Sequence, residues 1–516
     1  MKKQSILATA AVMAVLTIAA KALGLVRDIL VAGAYGTSAP AVAYETASRL
    51  PVLIFDIVIG GVVSAAFIPV FSELLVREGK ERAMRYAASY VRLILLLTGA
   101  FTLIGILLAS PLVEVLAPGL ESETKTLAVL LTRILFPMLI CTGLAFSFVG
   151  VLQSMGEFRI PAMISLVSNL IMVGYLLFFR ERFGVIGLAV AMLCGWAAQA
   201  LIQMPKLYAL GFRFTVSDGL RSPHIARSLR LALPILIGTW TQPLCTVINT
   251  RFASAIENGR AITALGYANR LYTIIVGVFS FVATNLLFPY FSRASAAGDV
   301  KESRRLMVTS VRTLSFIIAP IAAGMAVLAQ PIASLVFERR EFTASDAAMT
   351  AAALRFYAVG MLFMAANEVL TKAFFAENRP KIPMATSLAA MAFNIVLVTI
   401  LSRFGIGGIA LASGVSAAFQ CLLNALCMSR MAGAHLPVRD WLDLGRSVLA
   451  ALVMGGALVL LSPHLPGGRI VVTVLSVGIG AVVYAIASLL LRSEEALFLV
   501  NILTRRRGAD NPANDG

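Results

Sequence analysis

Long apolar runs alternate with short charged or turn-forming clusters along the whole 516-residue chain. A helix needs about 20 mainly apolar residues to cross a bilayer, and about fourteen segments meet that length. They centre near residues 18, 62, 97, 139, 170, 197, 241, 276, 317, 361, 392, 418, 452 and 480. This pattern predicts an all-α polytopic membrane protein of about fourteen transmembrane helices, with tilt or kinks where a run exceeds the minimum. The first run follows Lys2 and Lys3 and continues through Lys21, Arg27 and Asp28 to about Tyr35. No small-residue cleavage site followed by a soluble domain interrupts it, so it reads as a retained span rather than a signal peptide.

The runs repeat. Arg49-Leu50 leading to Pro69-Val70-Phe71-Ser72 matches Arg270-Leu271 leading to Pro289-Tyr290-Phe291-Ser292. Arg133 stands before Pro161 as Arg355 stands before Pro383, and Phe183-Gly184-Val185-Ile186-Gly187 resembles Phe404-Gly405-Ile406-Gly407-Gly408. All these pairs lie about 221 residues apart, within a residue or so. Six spans fit inside that offset, and an even number restores orientation. The expectation is two parallel six-helix repeats, a lobe over 1–215 and a lobe over 222–432, with the substrate path between them near the midplane. Two extra C-terminal helices (440–492) and a cytoplasmic tail (493–516) follow.

Composition agrees with membrane residence. Hydrophobic residues make up 59% and charged residues 13% of the chain, whereas a soluble domain is about half apolar and about a quarter charged. The net charge is +17. Its cations fall mostly between apolar runs, which points to anionic headgroups and the positive-inside rule rather than to nucleic acid. With the N-terminus inside, cytoplasmic loops carry roughly three times the Lys and Arg of the opposite loops, so both termini are expected in the cytoplasm. The five cysteines lie in apolar stretches without metal-ligand spacing and read as packing residues.

Charges inside spans are the strongest chemical signal, because a basic residue at the bilayer centre costs about 2.5–3.5 kcal/mol on insertion scales. Lys21, Arg27 and Asp28 fall in the first span, Arg49 and Asp56 in or at the mouth of the second, and Arg270 in the eighth. Lys21, Gly24 and Asp28 share one helical face, with Arg27 about 100° away and Gly24 permitting a bend. Two readings stay open for several cations. Arg49, Arg92, Arg133 and Arg355 either line a wet cavity or snorkel to the interface, and Arg27 either lines that cavity or pairs structurally with Asp28. A surplus of cations favours an anionic substrate, since guanidinium forks match phosphate oxygens. No phosphate-binding loop, nucleophile elbow, metal cluster or paired-carboxylate motif occurs, so no enzyme and no cofactor are expected.

At four motifs the chain resembles the MurJ/MviN family of lipid II flippases, within the multidrug/oligosaccharidyl-lipid/polysaccharide exporter superfamily. They are Lys21-Ala22-Leu23-Gly24-Leu25-Val26-Arg27-Asp28; Gly60-Gly61 through Ser72-Glu73; Tyr267-Ala268-Asn269-Arg270-Leu271-Tyr272; and Phe337-Glu338-Arg339-Arg340-Glu341-Phe342-Thr343-Ala344-Ser345-Asp346. The resemblance implies two six-helix lobes around a cationic cavity and a final helix pair that forms a groove for the polyprenyl tail. It implies that Lys21, Arg27, Asp28 and Arg270, with Arg49, bind the pyrophosphate during alternating access. Gly24, Glu45 and Asp56 become candidate cavity or gate residues. This chain departs from the family where Ile54 and Phe55 replace an arginine pair. The acidic position before the second span is Val42, with Glu45 nearby. The proposed sodium site of some relatives maps to Asn249 and Val398, near Asn394, which weakens sodium coupling here.

The implied function is export of lipid II in peptidoglycan and cell-wall biogenesis at the bacterial inner membrane, with effects on cell shape. The expected partners are the lipid itself, the membrane and cell-wall synthases, with the protein a monomer. The alternatives are an exporter of another polyprenyl-linked saccharide or a drug, and a membrane enzyme acting on polyprenyl phosphates. A drug antiporter wants an acidic midplane site, and such an enzyme wants interfacial carboxylates or histidines.

Overall fold

A computed structural model describes residues 3–58, 63–214, 218–220, 222–282, 290–293, 300–377, 379–431 and 438–498. Among the described residues the regular structure is helical, apart from an isolated antiparallel bridge between Arg339 and Phe342. The chain packs as two units: residues 1–263 with 339–343, and residues 264–338 with 344–516.

The first unit holds α1 (Lys3–Tyr35), α2 (Ala39–Val58), a π-helical turn (Val63–Phe67) and α3 (Ile68–Arg77). It continues through α4 (Lys80–Leu107), α5 (Ala109–Leu116), α6 (Ser122–Leu135), α7 (Met138–Ser154), α8 (Arg159–Phe178), α9 (Arg180–Leu201) and α10 (Met204–Ala209). It closes with α11 (Pro223–Thr239), α12 (Thr241–Ser254) and the start of α13 (Arg260–Val282). The second unit holds the rest of α13, α14 (Val300–Val327), α15 (Ala329–Phe337), α16 (Ala344–Ala376), α17 (Lys381–Leu401), α18 (Ile406–Met431), α19 (Val438–Leu461) and α20 (Arg469–Leu490).

Ten helical segments among the described residues are long and apolar enough to cross a membrane. They correspond to the expected third to sixth and ninth to fourteenth spans. The other four fall on α1, on α2 through α3, on α11 with α12, and on α13. These helices carry charges within them or continue into residues outside the described set. Gly60 and Gly61 lie outside the described residues. Gly407 packs closely: a Cβ there would fall 2.7 Å from the Phe356 ring. The outer faces remain apolar, as on α20, where Ile470, Val474, Val477, Val482 and Leu490 are exposed. A water-soluble surface does not leave so continuous an apolar stripe uncovered.

The repeat is visible as packing. In the first unit α4 lies on α7 and α7 on α9; in the second, α14 lies on α16 and α16 on α18. The α8–α9 and α17–α18 hairpins turn at Gly184 (φ 53°) and Gly405 (φ 77°), which occupy equivalent positions. Both need left-handed backbone, which glycine adopts without a Cβ clash. One difference has a chemical cause. The segment 122–154 breaks between α6 and α7 at Phe136–Pro137, whereas α16 runs unbroken and carries Val359 at the matching position. Proline lacks the N–H that would continue the helical ladder.

Packing also places α11 and α12 with the first unit: the Tyr86 and Ser228 hydroxyls hydrogen-bond between α4 and α11, and Trp240 Nε1 donates to the Ile57 carbonyl at 2.8 Å. The boundary of contact therefore falls later than the boundary of sequence repetition.

The α16–α18 pair meets at Gly360 and Gly414, where a Cβ on Gly360 would stand 2.7 Å from the Gly414 Cα. In lipid, helices associate through such small-residue contacts, because the tails are as apolar as the helices. Gly360→Val is expected to overpack this seam and cost about 1–3 kcal/mol. Thermal unfolding in detergent checks this; a melting midpoint equal to wild type would mean that the helices are not in backbone contact here.

Candidate functional site

α1 carries its charges on a helix that runs unbroken from Lys3 to Tyr35, Gly24 included. Gly24 allows close approach of α8: a Cβ at this position would lie 3.4 Å from Asn169 Nδ2. Asn169 is the residue that sequence reasoning missed. It is buried, its Nδ2 donates to the Ala20 carbonyl at 3.1 Å, and its Oδ1 accepts from Arg27 Nη1 at 2.9 Å. Arg27 also gives Nη2 (2.8 Å) and Nε (3.1 Å) to the same oxygen of Asp28. Of the two readings open for Arg27, the structure shows the pair with Asp28, the arginine side chain remaining 29% exposed. Lys21, two turns earlier, is exposed and makes no polar contact among the described residues.

A second cluster forms around Arg49 in the interior of α2. Its Nη2 contacts Glu45 Oε1, one turn earlier, at 3.1 Å and donates to the Ile262 carbonyl at 3.1 Å. Its Nη1 makes a short hydrogen bond to Thr250 Oγ1 on α12. With side-chain exposures of 18% for Arg49 and 10% for Glu45, the pair is largely removed from solvent. Arg49 therefore does not snorkel. It ties α2 to α12 and to the start of α13. Arg92 is held as well, its Nη2 donating to the Phe214 carbonyl at 2.6 Å.

The remaining candidates are placed as follows. Asp56, near the end of α2, is partly buried with no polar partner among the described residues. Asn249 is half-buried on α12, and Asn394 is buried on α17 with an Oδ1 that accepts no hydrogen bond from the described residues. Among the described residues no group of three or more His, Cys, Asp or Glu side chains is placed to hold a metal ion. In the second unit, Arg270 lies over the Tyr267 ring at 5.3 Å, nearly three turns into α13. Arg133 and Arg355 are exposed, the latter donating Nε to the Ala326 carbonyl at 3.3 Å.

Arg49 and Arg270 are equivalent in the repeat but differ in setting. The Glu45 that neutralises Arg49 corresponds to Gly266 in the second copy, where Arg270 stacks on an aromatic ring instead. A guanidinium over an aromatic face gains a cation–π attraction while keeping its positive charge. Lys21, Arg27 and Arg270 thus combine cationic charge with partial or full exposure inside long apolar helices. That chemistry suits phosphate oxygens.

A family model described as "Lipid II flippase MurJ" matches residues 31–478. The chain belongs to the MurJ lipid II flippase family. It is 30% identical over 467 residues to a probable lipid II flippase MurJ of Bdellovibrio bacteriovorus, covering 89% of this chain and 88% of that one. A Treponema pallidum protein of the same description is 29% identical over 427 residues, covering 81% and 80%. Among solved structures, a lipid II flippase MurJ in an inward closed conformation superposes with a TM-score of 0.80 at 22% identity, covering 95% of this chain and 99% of that one. A multidrug resistance MATE family transporter of the MOP superfamily reaches 0.70 at 14% identity, covering 82% and 98%. The family is one of transporters, not enzymes, and the fold is an all-α multi-pass membrane fold. Arg49 and Arg270 lie within the matched residues, while Lys21, Arg27 and Asp28 immediately precede them.

Breaking a buried ion pair on one side costs about 3–5 kcal/mol, because the abandoned charge stays buried. Arg49→Ala is therefore expected to lower stability by an amount of that order. The double variant Arg49→Met with Glu45→Gln should recover most of it. Unfolding of both variants in detergent tests the pairing; equal losses in the single and double variants would count against it.

Proposed function

We propose that this protein moves lipid II, the undecaprenyl-pyrophosphate-linked peptidoglycan precursor, from the cytoplasmic to the outer leaflet of the bacterial inner membrane by alternating access through a cationic cavity. The observation that carries the reading is a family match over 31–478 together with cations held inside apolar helices. Lys21 and Arg27 in the first unit and Arg270 in the second are the residues assigned to the pyrophosphate. Asp28 and Arg49 are assigned supporting roles at the site, and Gly24, Glu45 and Asp56 roles at its mouth. The charge distribution among loops supports both termini in the cytoplasm. Sequence repetition supports lobes over 1–215 and 222–432, with 440–492 as the surface for the polyprenyl tail. The likeness to MATE transporters supports the alternating-access mode.

Charge-assisted hydrogen bonds contribute roughly 1.5–3 kcal/mol each, so deleting one cation that grips phosphate should lower transport about tenfold or more. The test is depletion of the protein in its host, with labelled lipid II measured on the outer leaflet and rescue by Lys21→Ala, Arg27→Ala or Arg270→Ala. The expected outcome is loss of outer-leaflet lipid II on depletion and poor rescue by variants that still insert normally. Continued arrival of lipid II at the outer face would sink the substrate assignment and leave another anionic polyprenyl lipid as the cargo. Full rescue by all three variants would remove the cationic site.

A further inference from the structure

One charge cluster, centred on an arginine inside a candidate span, has no role in the reading above. Arg312 lies inside the α14 span, about 10 Å of helical rise beyond Arg305, the last basic residue of the helix's opening turns. Its Nη2 contacts Glu494 Oε2 at 2.7 Å, Glu495 Oε1 at 2.8 Å and Asp443 Oδ2 at 3.3 Å, and its Nε donates to Glu495 Oε1 at 2.9 Å. The Asp443 side chain, on α19, is fully buried, and its other oxygen accepts from Arg446 Nη1 at 2.7 Å. Glu494 and Glu495 follow α20, beyond Arg492, whose φ of 54° is left-handed. That turn folds the two carboxylates back toward α14. Higher along the same helices, Tyr484 donates its hydroxyl proton to the Phe316 carbonyl at 2.7 Å.

Stability alone does not account for this cluster. A buried ion network is often no better than apolar side chains of similar volume, and its best-attested use is to specify one register among several. The need for a register is acute here. Apolar helix faces gain little by association in lipid, so the packed Ala319, Ala450, Ala451 and Met454 side chains specify the alignment of α19 against α14 less sharply than a polar contact does. A planar guanidinium gripping carboxylates from α19 and from the segment after α20 permits one alignment.

We propose that Arg312 is a positioning residue that fixes α19 and α20 in register against α14, and thereby sets the apolar surface of these two helices to receive the substrate's polyprenyl tail. This rests on the lipid-flippase reading. The grip works through geometry as well as charge, so a lysine at 312, with one compact ammonium, does not replace it.

The experiment uses the full chain reconstituted in liposomes, with lipid II carrying its full-length tail and lipid II carrying a truncated tail as the two probes. Wild type is expected to favour the full-length tail. Arg312→Lys, and separately the pair Glu494→Gln with Glu495→Gln, should raise KM for the full-length probe about fivefold to tenfold, leave kcat within about twofold, and leave the truncated probe unaffected. Should Arg312→Lys fail to insert, Glu494→Gln alone keeps Asp443 and Glu495 on the arginine and is expected to give a smaller shift in the same direction. A KM ratio between the two probes equal to that of wild type would overturn the positioning role, as would an equal loss on both probes. Wild-type protein that transports neither probe would overturn the flippase reading and this proposal with it, a failure distinct from that of the variants alone.

Discussion

Hydrocarbon supplies no partner for a charge or an open backbone group, and this constraint organises the protein. Three arginines within helices carry their own solvation. Arg27 has Asp28 and Asn169, Arg49 has Glu45, Thr250 and the Ile262 carbonyl, and Arg312 has three carboxylates. Several partners, among them Asn169, Thr250 and Asp443, come from other helices, so solvating a charge also ties helices together. Asn169 holds α8 to α1, and Thr250 holds α12 to α2. Gly24 belongs to the same logic, since its missing side chain leaves room for Asn169 beside α1.

Two copies of one packing pattern do not yield two copies of one site. The helix order, the Gly184 and Gly405 turns and the Arg49 and Arg270 positions all repeat at the same offset. Yet Glu45 becomes Gly266, and Arg49 is enclosed where Arg270 rests on a ring. The first copy uses its arginine as a tie between helices. The second keeps the charge without an acid one turn earlier. Divergence at a single position thus gives two equivalent arginines different surroundings.

Much of this was legible in the sequence. Run length marked the membrane helices, and a constant spacing between matched motifs marked the repeat, because both are properties of the whole chain. Charges in the first, second and eighth spans stood out for the same reason. Asn169 did not, since one amide in an apolar run scarcely changes hydropathy, and its partner lies 142 residues away. Arg312 was passed over because its carboxylates lie more than 130 residues downstream, two of them beyond the last span. At Gly24 the sequence shows a missing side chain without showing that Asn169 fills the space. Contacts distant along the chain are settled by tertiary packing, and no local pattern encodes them.

The resting arrangement of α1 constrains how any anion could engage it. Arg27 is not an idle cation: two of its nitrogens point to one oxygen of Asp28 and a third to Asn169. A pyrophosphate that takes Arg27 must displace Asp28 or share the guanidinium with it, and a displaced carboxylate at 11% side-chain exposure repels the incoming anion. Lys21 lies on the same face as Asp28, is exposed, and has no such competitor. For the proposed pyrophosphate site, electrostatics therefore favours first contact at Lys21 over first contact at Arg27, whose charge Asp28 already partly neutralises.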